Sequence, residues 1–258
     1  MLKLSSMYTL LLYLLLTTNV LCDRNNVSKN DDPFWINPCG YTTYNGKDYD
    51  DSDAGIIDRI LTIQRQCQKN IDPFKREYIQ QTFKSDYDTH YNRWINENNS
   101  WMTSRLLNRA EDNMQQSCLE SRSFPSELKF TYELLQQVAV GYEVLLDDAN
   151  NVDYLENRFL NNFTTCKNDL QQLLCEISDD VDITHQDKPK DVTRDQVPND
   201  VRQETSTAER NLTNSIIFRD YMIAIKYMKN TYEYLRSKCK NDIIDFKVWL
   251  KKNRKRNH

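Results

Sequence analysis

The sequence predicts an all-α protein, an up-up-down-down four-helix bundle with long crossover connections and an extra helical A–B segment. Three observations predict it. Apolar residues recur at helical spacing through four long stretches. Two of these, near 126–147 and 151–177, meet through a very short turn, while long polar or irregular segments separate the others; long, short, long is the connection order of that architecture. Glycine occurs only at Gly40, Gly46, Gly55 and Gly141, too seldom for a series of tight strand turns or a phosphate-cradling loop.

The elements follow in chain order. Residues 1–22 read as a signal peptide: Lys3, an apolar run to Leu16, and mid-sized residues at Val20 and Cys22 before a cleavage that leaves Asp23 first. The apolar run is too short to span a bilayer comfortably, and no later stretch is apolar enough, so no membrane insertion is expected. Residues 23–50 form an irregular leader tied down by Cys39, whose Phe34-Trp35-Ile36 cluster either packs on the helices or marks a binding element.

The helical domain spans 51–250. Helix A opens at Asp51 or Ser52, carries Ile56, Ile57, Ile60, Leu61, Ile63 and Cys67 on its apolar side, and ends at Pro73. Residues 74–119 are aromatic-rich. Met102, Leu106, Ala110, Met114 and Cys118 recur every fourth residue, so a helix near 101–119 elaborates the A–B connection or adds a fifth core helix. Helix B opens at Ser123, followed by Pro125, and is apolar nearly all round from Leu128 to Leu146. Asp147 to Asn151 turn into helix C, whose stripe is Val152, Leu155, Phe159, Cys166, Leu170, Leu173 and Ile177. Residues 178–207 lack apolar periodicity and read as a flexible crossover. Helix D opens with a capping box at Ser206 and Glu209 and sustains a stripe from Ile217 to Leu250. From 209 to 250 it would span roughly 63 Å, so its last turns bend or overhang.

Six cysteines remain after the signal: Cys39, Cys67, Cys118, Cys166, Cys175 and Cys239. An even count in a secreted chain suggests three disulfides, with fifteen pairings open. The expected topology gathers Cys39, Cys118, Cys175 and Cys239 at one end and leaves Cys67 and Cys166 to pair nearer the opposite half. There is no CxxC, and His90, His185 and His258 are scattered, so a metal site is not expected. Four sequons begin at Asn26, Asn98, Asn162 and Asn211. Asn26, Asn98 and Asn211 are taken as acceptors. Asn162 lies close to the apolar stripe of helix C, where a glycan has no room unless the stripe is narrower than it reads.

Removing the signal, with Lys3 its single charge, from a chain of net charge −4 leaves −5, which opposes nucleic-acid binding. The basic tail 251–258 contains Lys251, Lys252, Arg254, Lys255 and Arg256. It reads as a solvated helix end, where cations suit the helix dipole, or as a site for sulfated glycans or proteolytic trimming. No nucleophile elbow, zinc-protease helix or phosphate loop is present, so neither an enzyme nor a cofactor is expected. Recognition is the better expectation. On helix D, Arg219, Ile223 and Lys226 fall opposite the stripe and Tyr227 and Tyr234 flank it; arginine and aromatic side chains are common binding anchors.

Helix D reads Ile217-Phe218-Arg219-Asp220-Tyr221, with Met228, Tyr232 and Leu235 following, and its texture resembles helix D of long-chain helical cytokines. With helix order, loop lengths and the signal, residues 51–250 look like the group that holds leukaemia inhibitory factor, granulocyte colony-stimulating factor and the insect Unpaired ligands. The resemblance implies a secreted ligand that bridges cell-surface receptors and activates JAK/STAT-type signalling. Several members place Phe and Lys three apart at the start of helix D; here Tyr221 stands three after Phe218, so that contact is not carried over. A second resemblance is to insect odorant-binding proteins, through the Cys39–Cys67 and Cys166–Cys175 spacings, although their cysteine pair separated by three residues is absent. It implies a carrier of small apolar ligands. A secreted salivary or venom effector is the remaining expectation.

Overall fold

A computed structural model describes residues 32–40, 50–97, 99, 101–102, 123–151, 153–204 and 206–254, with side chains to Cys239 in the last helix. The described residues are helical, without a strand. Helix α1 is Asp53–Phe83, α2 Tyr87–Trp94, α3 Phe124–Asn150, α4 Leu160–Ile183, α5 Asn199–Arg202 and α6 Thr207–Arg254. A 3-10 turn at Leu155–Phe159 leads into α4, and another lies at Arg194–Gln196. None of the described helices is long and apolar enough to cross a membrane.

The helix starts have local causes. The Ser52 hydroxyl accepts from the Gly55 amide at 3.2 Å, satisfying a first-turn donor. Gly55 is required there, because a Cβ would stand 2.2 Å from the Asp50 carbonyl. Ser123 accepts from Ser126 N, with Pro125 in the first turn where it removes no helical bond. Ser206 accepts from Glu209 N at 3.4 Å, but the Ser206 amide donates to Glu204 instead of Glu209, so half of the expected capping box forms.

Helix α1 does not stop at Pro73. It runs through it to Phe83 and ends where Lys84 turns left-handed at φ 54°. Pro73 is exposed, so water can satisfy the carbonyl whose helical partner the proline lacks. Beyond it lie Phe74, Tyr78 and Ile79, all buried, and their burial offsets the lost bond.

Four long helices, α1, α3, α4 and α6, pack in cyclic order: α1 against α4 and α6, and α3 against α4 and α6. Near the start of α1, Arg59 binds Glu176 and Asp180 at 2.5 and 2.8 Å, and Asp58 binds Arg236. Near its end, Phe74 and Tyr78 meet Phe163 at 4.9 and 5.2 Å and Phe218 at 5.1 and 5.8 Å, ring centre to ring centre. On α3, Phe124 and Thr131 meet Tyr232, Tyr142 meets Tyr221, and Asp148 accepts from Asn214. Helix α6 continues about 27 Å past Arg236.

Segment 184–204, expected to lie in a flexible crossover over 178–207, is pinned down at two points. Helix α4 itself reaches Ile183, and Val192 and Val197 are buried beyond it. Trp35 of the leader is fully buried and its indole N–H donates to Val192 O at 2.7 Å. Gln136 on α3 fastens both: its Nε2 donates to Trp35 O at 3.3 Å and Asp191 Oδ1 at 2.8 Å, and its Oε1 accepts from Val192 N at 3.0 Å. Two isolated valines and long-range bonds leave no periodic trace in sequence. Cys39 and Cys175 form a disulfide that fixes the leader to α4. At a sequence separation of 136, the chain-entropy account gives it on the order of 5 kcal/mol.

Replacing Trp35 with Ala removes a buried ring and leaves the Val192 carbonyl unmatched. We expect a loss of about 3–5 kcal/mol, read as a lower urea midpoint at unchanged slope. A second prediction concerns Asp180, which is fully buried. Burial, reinforced by Glu176, outweighs the pull of Arg59 and pushes its carboxyl up to about 7. An unfolded Asp loses its proton near 3.8, so folding takes up a proton between these values. This contribution to stability is full below about pH 4 and is lost as pH rises through 7. Asp180→Asn, which carries no charge at any pH, should therefore match the native chain at pH 4 and exceed it by about 1–3 kcal/mol at pH 8. Thermal unfolding of both proteins across that range measures the difference.

Candidate functional site

The proposed recognition patch on α6 is not a continuous surface. Arg219 is 4 % exposed, Ile223 7 % and Tyr227 0 %; Lys226 is exposed and Tyr234 half-buried beneath Lys238, whose ammonium lies 5.0 Å from its ring. The expectation fails because neighbouring elements bury part of the patch. Helices α1 and α3 pack on the flanks of the stripe, and Trp94 of α2 with Asn99 binds Arg219 and Asp220. Residues 214–221 are buried without a break.

The buried polar groups of α6 are held by these neighbours. Arg219 Nη1 donates to Trp94 O at 2.6 Å, and its Nε and Nη2 donate to Asp220 Oδ1 at 3.1 and 2.7 Å. Asn99 Nδ2 completes the carboxylate by donating to Asp220 Oδ2 at 2.9 Å. On the α3 side, Tyr227 donates to the fully buried Glu127 at 2.5 Å and packs edge-on against Phe130. Arg219 and Tyr227 are therefore structural anchors. Sequence missed Trp94, Asn99 and Glu127 because each partner lies 100 or more residues away.

Helix α2 roofs a small cleft with Tyr87, His90, Tyr91 and Trp94, above Ile79 of α1 and Ser215, Phe218 and Met222 of α6. It encloses about 20 Å3, room for a single water and far from the several hundred Å3 of an apolar-ligand site. His90 stacks on Phe83 at 4.1 Å and its Nε2 lies 3.3 Å from the Ser215 hydroxyl. Burial and Arg93 push the His90 pKa down, favouring the neutral ring. The Ser215 hydroxyl also reaches Leu212 O at 2.8 Å, so it links the α2 ring to the α6 backbone. The direction of the His90–Ser215 bond follows the tautomer of the ring, and in either direction the pair latches α2 onto α6.

The cysteines divide in two ways. Cys39 and Cys175, two of the four cysteines expected to gather at one end, are bonded to each other. The expected Cys67–Cys166 bridge is not formed; both are buried thiols. Burial and the nearby Asp169 carboxylate push Cys67 far up and Cys166 to about 12, so neither offers a thiolate nucleophile. Cys239 is half-buried on α6, and Cys118 lies outside the described residues. Cys39, Cys175 and Asp179 are close enough to suggest a metal site, but two sulfurs bonded to each other are not thiolate ligands.

Of the sequons, Asn26 and Asn98 lie outside the described residues. Asn211 is half-buried, and with its amide oriented to suit its neighbours Nδ2 donates to Thr207 O at 3.2 Å and to the buried Glu156 at 2.9 Å. Asn162 is exposed. The side chains of the basic tail also lie outside those described, as does the expected helix near 101–119 except for the buried Trp101 and Met102.

Other cations of α1 and α6 are exposed. Gln64 Nε2 donates to Ile225 O at 3.4 Å, which sets α1 beside α6. The next residues, Arg65 and Lys226, are both exposed, as are Lys69 and Lys229 one turn along each helix. With this geometry established, comparison with known proteins returns no match to any family model, curated protein or solved structure.

Arg219→Ala should cost about 3–5 kcal/mol, because Asp220 would be left as a buried, uncompensated charge. Lys226→Ala should change stability by no more than about 0.5 kcal/mol. Chemical denaturation of the two variants separates an anchor from a free surface residue.

Proposed function

We propose that this chain is a secreted, helical cytokine-like ligand that binds and bridges cell-surface receptors, with JAK/STAT-type signalling as its output. The observation that carries the reading is the relative direction of the four long helices. The start of α1 meets the end of α4 and a late part of α6, and its end meets the start of α4 and an early part of α6. The start of α3 likewise meets a late part of α6 and its end an early part, and a short turn joins α3 to α4. This supports an up-up-down-down bundle, in which α1 and α3 run one way and α4 and α6 the other.

The receptor-facing surface is the seam between α1 and α6, where Arg65, Lys69, Lys226 and Lys229 stand exposed; it suits an acidic patch on a receptor. A ligand of this kind carries out no covalent step. It acts by holding two receptor chains together, and two modest contacts give avidity when both are engaged.

The test is a cell assay. Disulfide-intact protein is added to cells of the source organism, and tyrosine phosphorylation of a STAT-type factor is followed over minutes. The expected result is a dose-dependent rise that falls at least about tenfold in potency for the Arg65→Glu, Lys226→Glu double variant, whose thermal midpoint stays unchanged. No rise in cells that answer another helical cytokine overturns the reading.

A further inference from the structure

Two sequons look alike in sequence, and the structure separates them. Asn162-Phe163-Thr164 lies in the first turn of α4. Phe163 is fully buried against Phe74 and Tyr78, while Asn162 and Thr164 on either side of it are exposed. The apolar stripe of α4 is therefore narrower than its spacing suggests. It turns inward at Phe163 and leaves the Asn162 amide in solvent at the seam with α1, at the level of Phe74. Asn211 has the opposite setting. Its Nδ2 uses both hydrogens, one toward Thr207 O and one toward Glu156 Oε1. Glu156 is fully buried, and burial already raises its carboxyl pKa. A glycan on Nδ2 would replace one of those hydrogens and place a bulky polar group against a buried carboxyl.

We propose that Asn162 carries an N-linked glycan in the folded protein and that Asn211 does not. This rests on the secreted reading, since the co-reactant is a lipid-linked oligosaccharide diphosphate of the secretory pathway. In the transfer, Asn162 Nδ2 attacks the anomeric carbon and forms the N–C bond. The bond from that carbon to the diphosphate oxygen breaks, the lipid diphosphate leaves, and one amide proton passes to a base of the transferase. The glycan would stand on the α1–α4 side of the molecule. It would shield that side of α1 and leave the α1–α6 seam clear, so receptor contact and glycan occupy different faces of the same helix.

The experiment expresses the full chain in secretory cells, once with its own N-terminus and once with residues 1–22 replaced by an established signal peptide. Secreted and cell-associated protein are both treated with peptide N-glycosidase in heavy-oxygen water, which converts a glycosylated Asn to labelled Asp, and are then mapped by mass spectrometry. Label at Asn162 with none at Asn211, and loss of one glycan in Asn162→Gln at unchanged thermal midpoint, is the expected result. Unlabelled Asn162 behind the established signal overturns the proposal, as does label at Asn211 in folded, secreted protein. Label at Asn162 only behind the established signal keeps the proposal and overturns the secreted reading.

Discussion

Phe163 is the side chain on which the arrangement of the helices depends. It is packed edge-on by Phe74 and Tyr78 of α1, Phe218 of α6 and Tyr142 of α3, at interplanar angles of 77°, 81°, 83° and 76°. Each such pair contributes about 0.5–1.5 kcal/mol beyond its buried area, and edge-to-face geometry tolerates little rotation. One ring thus fixes how α4 is turned against three other helices. That rotation sends Asn162 and Thr164 outward, brings Cys166 inward one turn later, and sets Asp169 against Asn70 at 2.7 Å.

The same ring layer makes α6 a central element. Once Phe218 and Tyr221 are committed to it, the polar residues between and beside them must be covered or bonded. Arg219 and Asp220 resolve this by binding each other and the α2 region, and Tyr227 by binding Glu127. Buried charges of this kind add little net stability, but they penalise alternative registers heavily, because a slip would leave an ion in the core without its partner. Helix α2 is thereby held by polar bonds at Trp94 and His90 in addition to the packing of Tyr87 on the core.

What the sequence revealed, and what it hid, follows from the range of each interaction. The serine caps at Ser52, Ser123 and Ser206 were legible because a cap acts over three residues. The stripes of α1 and α4 were legible because burial repeats at helical period, and α3 because it is apolar nearly all round. The end of α1 was misread because Pro73 is disfavoured only where its surroundings cannot meet the freed carbonyl. The packed crossover was hidden because Trp35 and Val192 stand 157 residues apart. The candidate patch on α6 was misread for a more general reason: a hydrophobic stripe marks the face that must be buried, but polar residues opposite it are free only if nothing else lies on them. Arg219 and Tyr227 have the composition of binding anchors, and they are anchors, but for this chain's own α2 and α3.

The two ends of the molecule are held by different physics, which bears on how it could act as a bridge. At the Cys39–Cys175 end, a covalent bond, the Arg59 pairs with Glu176 and Asp180, and the Trp35–Gln136–Val192 junction tie the leader, the crossover, α1, α3 and α4 together. At the other end, the α3–α4 turn relies on Asn157 donating to Ala149 O and on the polar group of Asp148, Asn214 and Arg210, the last stacked 3.6 Å over Tyr154. Local opening there meets only non-covalent resistance, whereas the first end must also stretch a cross-linked loop. The α1–α6 seam with Arg65 and Lys226 lies between the two, on rigid helical backbone. A ligand that brings two receptors together transmits their separation only as faithfully as its own frame holds. A surface carried on paired helices therefore preserves that separation better than one carried on either end.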